Sequence, residues 1–132
     1  MAPMAANQIQ FNPWAPDWQI EVFDFCKEQR IAVTAWAPFQ GTMMQNAAAF
    51  TVETLAEVAA SKKRTVPQVM LRWALQKGAA VIPGTGNPHH MAENLDVYSF
   101  SLSPAEMASI DGLREDPKAR DFVAMGFENT ED

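Results

Sequence analysis

Cysteine is almost absent from this chain: Cys26 is the only one in 132 residues. No internal disulfide can form, which points to a reducing interior such as the cytosol. Positive charge is also scarce, with 10 Lys+Arg against 16 Asp+Glu and a net charge of -6. That balance argues against nucleic acid or an anionic membrane as the main partner. No stretch approaches the ~18 consecutive apolar residues of a membrane span. Residues 1–6 carry no cation and lead into no apolar run, so a standard secretory leader is not expected. What is present is ordinary for one globular domain: 48% apolar residues, 20% charged and 10% aromatic.

Three short apolar or alternating segments read as strands, near residues 7–11, 31–36 and 79–83. Between the first two, Pro16-Asp17 opens a helix expected to end near Arg30. Its apolar stripe is Trp18, Val22, Phe25 and Cys26, with Ile20 and Phe23 beside them. Residues 40–50 read as a loop. Thr51 is placed to cap a helix whose stripe is Val52, Leu55, Val58 and Ala59, and Lys62-Lys63-Arg64 puts cations at its carbonyl end. Thr65 and Gln68 have capping-box spacing for the next helix, which Gly78 stops. After the third strand, Gly84-Thr85-Gly86 bends the chain, Asn87 caps and Pro88 starts a short helix through Asn94. Ser103 and Glu106 open a last helix with Met107, Ile110 and Leu113 on one stripe. Residues 1–113 form the expected folded unit. Residues 114–132, with six acids and three bases, read as a tail or a pocket loop.

Strands separated by helical segments imply parallel crossover units, in which ligands bind at the carboxyl ends of the strands. The turn at residues 83–87 then reads in two ways: as an anion site under a helix N-terminus, or as an ordinary capped turn. Trp14 and Trp18 either line a pocket or pack at a strand-to-helix turn. His89 and His90 are adjacent, so they project about 100° apart on a helix. With no Cys or further His at ligand spacing, no metal site is expected.

Six segments in order carry a specific resemblance: residues 7–14 (NQIQFNPW), 24–27 (DFCK), 33–38 (VTAWAP), 65–73 (TVPQVMLRW), 81–85 (VIPGT) with Glu93-Asn94, and 110–113 (IDGL). Together they resemble the C-terminal part of an aldo-keto reductase. The resemblance implies a partial TIM barrel of about three parallel βα units, and a carbonyl oxidoreductase using NADP(H). By residue, it assigns Gln8 to the nicotinamide amide, Trp36 to stacking on the nicotinamide ring, Thr85 to the adenosine 2′-phosphate, and Glu93 with Asn94 to the adenine side. His90 falls where the family usually has an arginine and Gly84 where it has a lysine, so weakened phosphate affinity is expected. Ala37 stands for the serine after the aromatic, and Asn12 for the histidine of a His-Pro pair.

The family's Asp, Tyr, Lys and His catalytic set belongs to its N-terminal half, and the resemblance assigns no catalytic role to Tyr98. Loss of the proton donor removes acid catalysis that typically contributes ~10²–10⁴-fold. Two other readings therefore stand beside the reductase: a non-redox cyclase or isomerase on an apolar metabolite, and a non-enzymatic module or inactive fragment. Trp14, Phe39 and Phe122 are the expected substrate-pocket residues, Phe122 with Met125 and Phe127 in the tail. Three strands cannot close a barrel that typically takes ~250 residues. The expected solution is a second copy, and failing that a complementary N-terminal half.

Overall fold

The computed structural model describes residues 3–39 and 52–115. The strands are β1 (Ala6–Gln10), β2 (Ala32–Trp36) and β3 (Ala80–Val81), and the helices are α1 (Asp17–Glu28), α2 (Glu53–Lys62), α3 (Val66–Lys77), α4 (Pro88–Leu95) and α5 (Pro104–Asp111). Single 3-10 turns, Asp96–Tyr98 and Gly112–Glu115, follow α4 and α5. The sheet is parallel throughout in the order β1-β2-β3, as the alternation of strand and helix in the sequence requires.

Register separates the two faces of the sheet. Asn7 pairs with Val33 and Ile9 with Ala35, and these positions lie under the helices. Gln8 pairs with Thr34, Gln10 with Trp36, and Thr34 with Ala80, all on the opposite face. The core fills the helix side. Phe11 stacks on Phe23 at 4.4 Å and on Trp73 at 5.1 Å between ring centroids, and Leu55, Val69, Met70, Leu71 and Ile110 are fully buried around them.

Several expected boundaries move, each for a local reason. β3 is two residues long rather than five because its partner β2 ends at Trp36, where Ala37 turns to a left-handed φ of 46°; one further bond, from the Ile82 N–H to the Ala35 carbonyl at 3.3 Å, extends the ladder. α1 stops at Glu28, before Arg30, because Arg30 takes a left-handed φ of 59° and the Ile31 N–H bonds back to the Cys26 carbonyl at 2.8 Å. Lys63 (φ 54°) and Gly78 (φ 105°) end α2 and α3 the same way, with back bonds from Arg64 to Ala59 and from Ala79 to Ala74. Of the three, Gly78 alone takes that conformation without steric cost; the end of α2 was marked instead by the cations at 62–64.

The buried face of α1 is also displaced by one residue. Gln19, Phe23 and Cys26 point inward, while Trp18 and Phe25 are exposed. α2 is preceded by Val52 with no side-chain cap; Thr51 and the loop at 40–50 lie outside the described residues. The capping boxes at Thr65–Gln68 and Ser103–Glu106 form as spaced, and Asn87 caps α4 by accepting from the His89 N–H at 2.9 Å.

α5 is tied to α3 by polar contacts. Asp111 accepts from the Trp73 indole at 2.8 Å and from Lys77 at 2.9 Å, and Gln76 exchanges two bonds with the Leu102 backbone at 2.7 and 2.9 Å. Lys62 of α2 reaches Glu106 at 2.9 Å. Among the described residues no helix is long and apolar enough to cross a membrane.

Candidate functional site

Two regions at the carboxyl end of the sheet bring the expected site residues together. The first is the sheet face over which no helix packs among the described residues. The β1–β2 register puts Gln8 beside Thr34 and Gln10 beside Trp36, so Gln8 and Trp36 are diagonal neighbours on that face. Trp36 is 43% exposed, which leaves an indole surface accessible for stacking.

The chain beyond Trp36 is held in an uncommon conformation. Ala37 has φ 46°, which for a residue with a Cβ costs roughly 1–2 kcal/mol. Buried Asn12 spans the two strand ends: its Oδ1 accepts from the Trp14 N–H at 3.0 Å, and its Nδ2 donates to the Ala37 carbonyl at 3.3 Å. Asn12 thus fixes the peptide that follows the exposed indole. Sequence reasoning missed this role, although the Asn-Pro pair at a strand end is a turn signal.

The second region surrounds the start of α4. Thr85 Oγ1 accepts from the Asn87 N–H at 3.1 Å, one step before the Asn87 cap, so hydroxyl and amide groups converge at the helix N-terminus. Among the described glycines only Gly78 has positive φ, and a Cβ on Gly86 would meet no atom within 4 Å.

Beside this turn lies an open cleft of about 580 Å³, lined by Lys63, Arg64, Thr65, Gln68, His89 and Glu93, among others. Gln68 Nε2 donates to the Glu93 carbonyl at 3.0 Å, and Gln68 Oε1 accepts from the Thr65 N–H at 3.0 Å. The α3 capping residue thereby also positions α4. His89 Nε2 stands 3.6 Å from Glu93 Oε1, an i,i+4 pair that spacing alone could have found. Arg64 is engaged by Asp96 at 3.4 Å and Ser99 at 2.8 Å. Asn94 is half-buried. His90 is exposed and stands outside the cleft lining, its ring 6.2 Å from that of His89.

The expected substrate-pocket residues are placed differently. Trp14, at 1% exposure, and Phe39 are core residues, packed at the strand ends rather than on an open wall. Phe122 lies outside the described residues. A smaller cavity of about 180 Å³ opens on the helix side, lined by Phe11, Ile20, Phe23, Trp73, Lys77 and Asp111 among others; its polar groups include the Lys77–Asp111 pair that docks α5. Among the described residues no three His, Cys, Asp or Glu side chains cluster as metal ligands.

A parallel βα sheet with an open aromatic face and a capped helix N-terminus at its carboxyl end belongs to the class of barrel-type α/β proteins that bind ligands at that end. The aldo/keto reductase family model matches residues 1–115, and the chain belongs to that family. It is 38% identical over 113 residues to the glyoxal reductase of Bacillus subtilis, an overlap of 85% of this chain and 38% of that protein. It is 35% identical over 132 residues to Protein REDOX 2 of Catharanthus roseus, covering 98% of this chain and 39% of the relative.

Solved structures agree. An aldose reductase from Giardia lamblia superposes with a TM-score of 0.75 at 27% identity, over 84% of this chain and 37% of the other. A mutant of Gox0644 in complex with NADPH matches with a TM-score of 0.69 at 31% identity, over 84% of this chain and 38% of that one. The chain therefore spans about two fifths of the length of the relatives it matches.

Proposed function

We propose that this chain is the nucleotide-holding part of an NADP(H)-dependent carbonyl oxidoreductase and acts in the cytoplasm, where its lone thiol stays reduced. The observation that carries the reading is the juxtaposition of Gln8 and exposed Trp36 on the same face of the sheet. A relative of the same fold in complex with NADPH supports it. In this reading Gln8 hydrogen-bonds the carboxamide, and the Trp36 indole stacks on the ring. Thr85 and the first amides of α4 meet the 2′-phosphate, and Glu93 with Asn94 meets the adenine side. When bound, the nicotinamide supplies or accepts the hydride.

The anion-holding charge is modest. Position 84 is glycine, and His90, an imidazole rather than a guanidinium, is exposed. NADPH should bind more weakly than to a site with a fixed cation. The proton for the carbonyl oxygen comes, in this reading, from outside residues 1–132: Tyr98, the only tyrosine, is exposed in the 3-10 turn after α4. No observation favours a cofactor-free cyclase or isomerase, or a non-catalytic module.

NADPH titration followed by tryptophan quenching tests the reading. Saturable binding that Trp36→Ala weakens is the expected result. Absence of saturable binding up to millimolar nucleotide overturns it.

A further inference from the structure

The capping boxes of α3 and α5 are closed by different residues. At α5 the closing residue is Glu106, whose Oε2 accepts from the Ser103 N–H at 2.7 Å and meets the Lys62 ammonium at 2.9 Å. At α3 it is Gln68, whose Oε1 accepts from the Thr65 N–H at 3.0 Å in the same way. A capping box takes either residue type, because closing it needs only an acceptor. What the glutamine adds is a donor. Its Nε2 gives a hydrogen bond to the Glu93 carbonyl of α4 at 3.0 Å. Where the neighbour is a cation the box ends in a carboxylate, and where the neighbour is a carbonyl it ends in an amide.

The Glu93 carbonyl is one of the last four of α4, the groups that a helix end leaves without a regular partner. The Asp96 N–H reaches it from the following turn, and Gln68 reaches it from α3. α4 buries no residue of its own, so apolar packing does little to fix it against α3. Its neighbouring ties lie further along the chain, in the 3-10 turn, where Arg64 meets Asp96 at 3.4 Å and Arg72 donates to the Val97 carbonyl at 3.3 Å. Gln68 is 4% exposed, and its buried amide sets the last turns of α4, which carry Glu93 and Asn94.

We propose that Gln68 is a positioning residue for the adenine end of the nucleotide. It acts through α4: one carboxamide ties the start of α3 to the end of α4, and so holds Glu93 at the cleft wall with Asn94 beside it. A carboxylate in its place could make the first contact only. This role rests on the nucleotide reading proposed above. It concerns the adenosine half of the cofactor alone, since Gln8 and Trp36 stand on the sheet.

The test is calorimetric titration with adenosine 2′,5′-bisphosphate, the adenosine half of NADP, and with NADPH. Gln68→Glu keeps the acceptor that caps α3 and loses the donor to α4. It should weaken both ligands by the same factor, roughly 2- to 13-fold, the size of one lost hydrogen bond. Lowering the pH protonates the introduced carboxyl, which then donates to the Glu93 carbonyl as the amide did, so the affinity relative to the native chain should recover. Taking that ratio at each pH cancels what Lys63, Arg64, His89, Glu93, Asp96 and the phosphates contribute. Gln68→Met, of similar length and uncharged, should show the same loss with no recovery in acid. It also serves if circular dichroism shows that the buried carboxylate prevents folding.

Ser103→Ala removes a cap on α5, away from the cleft, and should leave bisphosphate affinity unchanged. Native affinity in the Gln68 variants overturns the inference. So does an equal weakening by Ser103→Ala, which would make the effect one of overall stability. A native chain that binds neither ligand overturns the nucleotide reading itself, and the role of Gln68 falls with it.

Discussion

Asn12 and Trp36 show how much a single side chain decides in this molecule. Buried Asn12 hydrogen-bonds two backbone groups at strand ends, the Trp14 N–H and the Ala37 carbonyl. Replacing it with alanine leaves the Trp14 N–H and the Ala37 carbonyl without these partners, at about 1–3 kcal/mol for a buried group left unpaired. Urea unfolding of Asn12→Ala should show a loss of that size, and NADPH affinity should fall with it because the peptide after Trp36 is no longer held. Trp36→Ala should leave stability nearly unchanged, since the indole is exposed. It should weaken NADPH binding by roughly 2- to 13-fold, the equivalent of ~0.5–1.5 kcal/mol for an aromatic stacking contact. Fluorescence titration separates the two variants. Neither position is announced by residue type: an asparagine before proline and a tryptophan closing a β-rich run are both common, and only the fold brings the Asn12 amide to the peptide that follows Trp36.

At the scale of elements, the polar signals at helix starts were legible and the endings less so. Thr65–Gln68, Asn87 and Ser103–Glu106 act at short range, and spacing alone identifies them. Ser103→Ala should cost about 1 kcal/mol in thermal or urea unfolding. Glu106 adds a pH dependence to the same cap. Partial burial acts to raise its carboxyl, but the Ser103 backbone and hydroxyl bonds and the Lys62 ammonium at 2.9 Å outweigh this and hold it below the ordinary glutamate range. Because the folded-state value is the lower one, this contribution is complete above the ordinary glutamate value and disappears as pH falls through the depressed one. Glu106→Gln keeps an acceptor for the cap and loses the ion pair. Its stability relative to the native chain should be lower by about 0.5 kcal/mol near neutrality, and the difference should vanish in acid. Helix ends at Arg30 and Lys63 depend instead on back bonds to Cys26 and Ala59, in a conformation their sequence does not favour.

For the whole molecule, the sheet face on which Trp36 and Ile82 reach solvent sets the question of assembly. If two copies associate, the unfolding midpoint rises with protein concentration by mass action, whereas a stable monomer shows no such dependence. Scanning calorimetry over a tenfold range of concentration reads that difference directly. The same association should leave the Lys77–Asp111 and Gln76–Leu102 contacts untouched, since they lie between α3, α5 and the segment leading into α5.

By itself the sequence determined the parallel βα order, the positions of the caps and the membership in a family, because crossover length, capping spacing and ordered motifs are local or linear properties. It also placed Gln8, Trp36, Thr85, Glu93 and Asn94 in a plausible order along the chain. Only the tertiary structure decided which residues share a face. Register turned Gln8 and Trp36 outward together, buried Trp14 and Phe39, and shifted the buried stripe of α1 by one residue so that Phe25 faces solvent. These outcomes depend on how a sheet of three strands meets its helices, and hydrophobic side chains carry no label for the face on which they will finish.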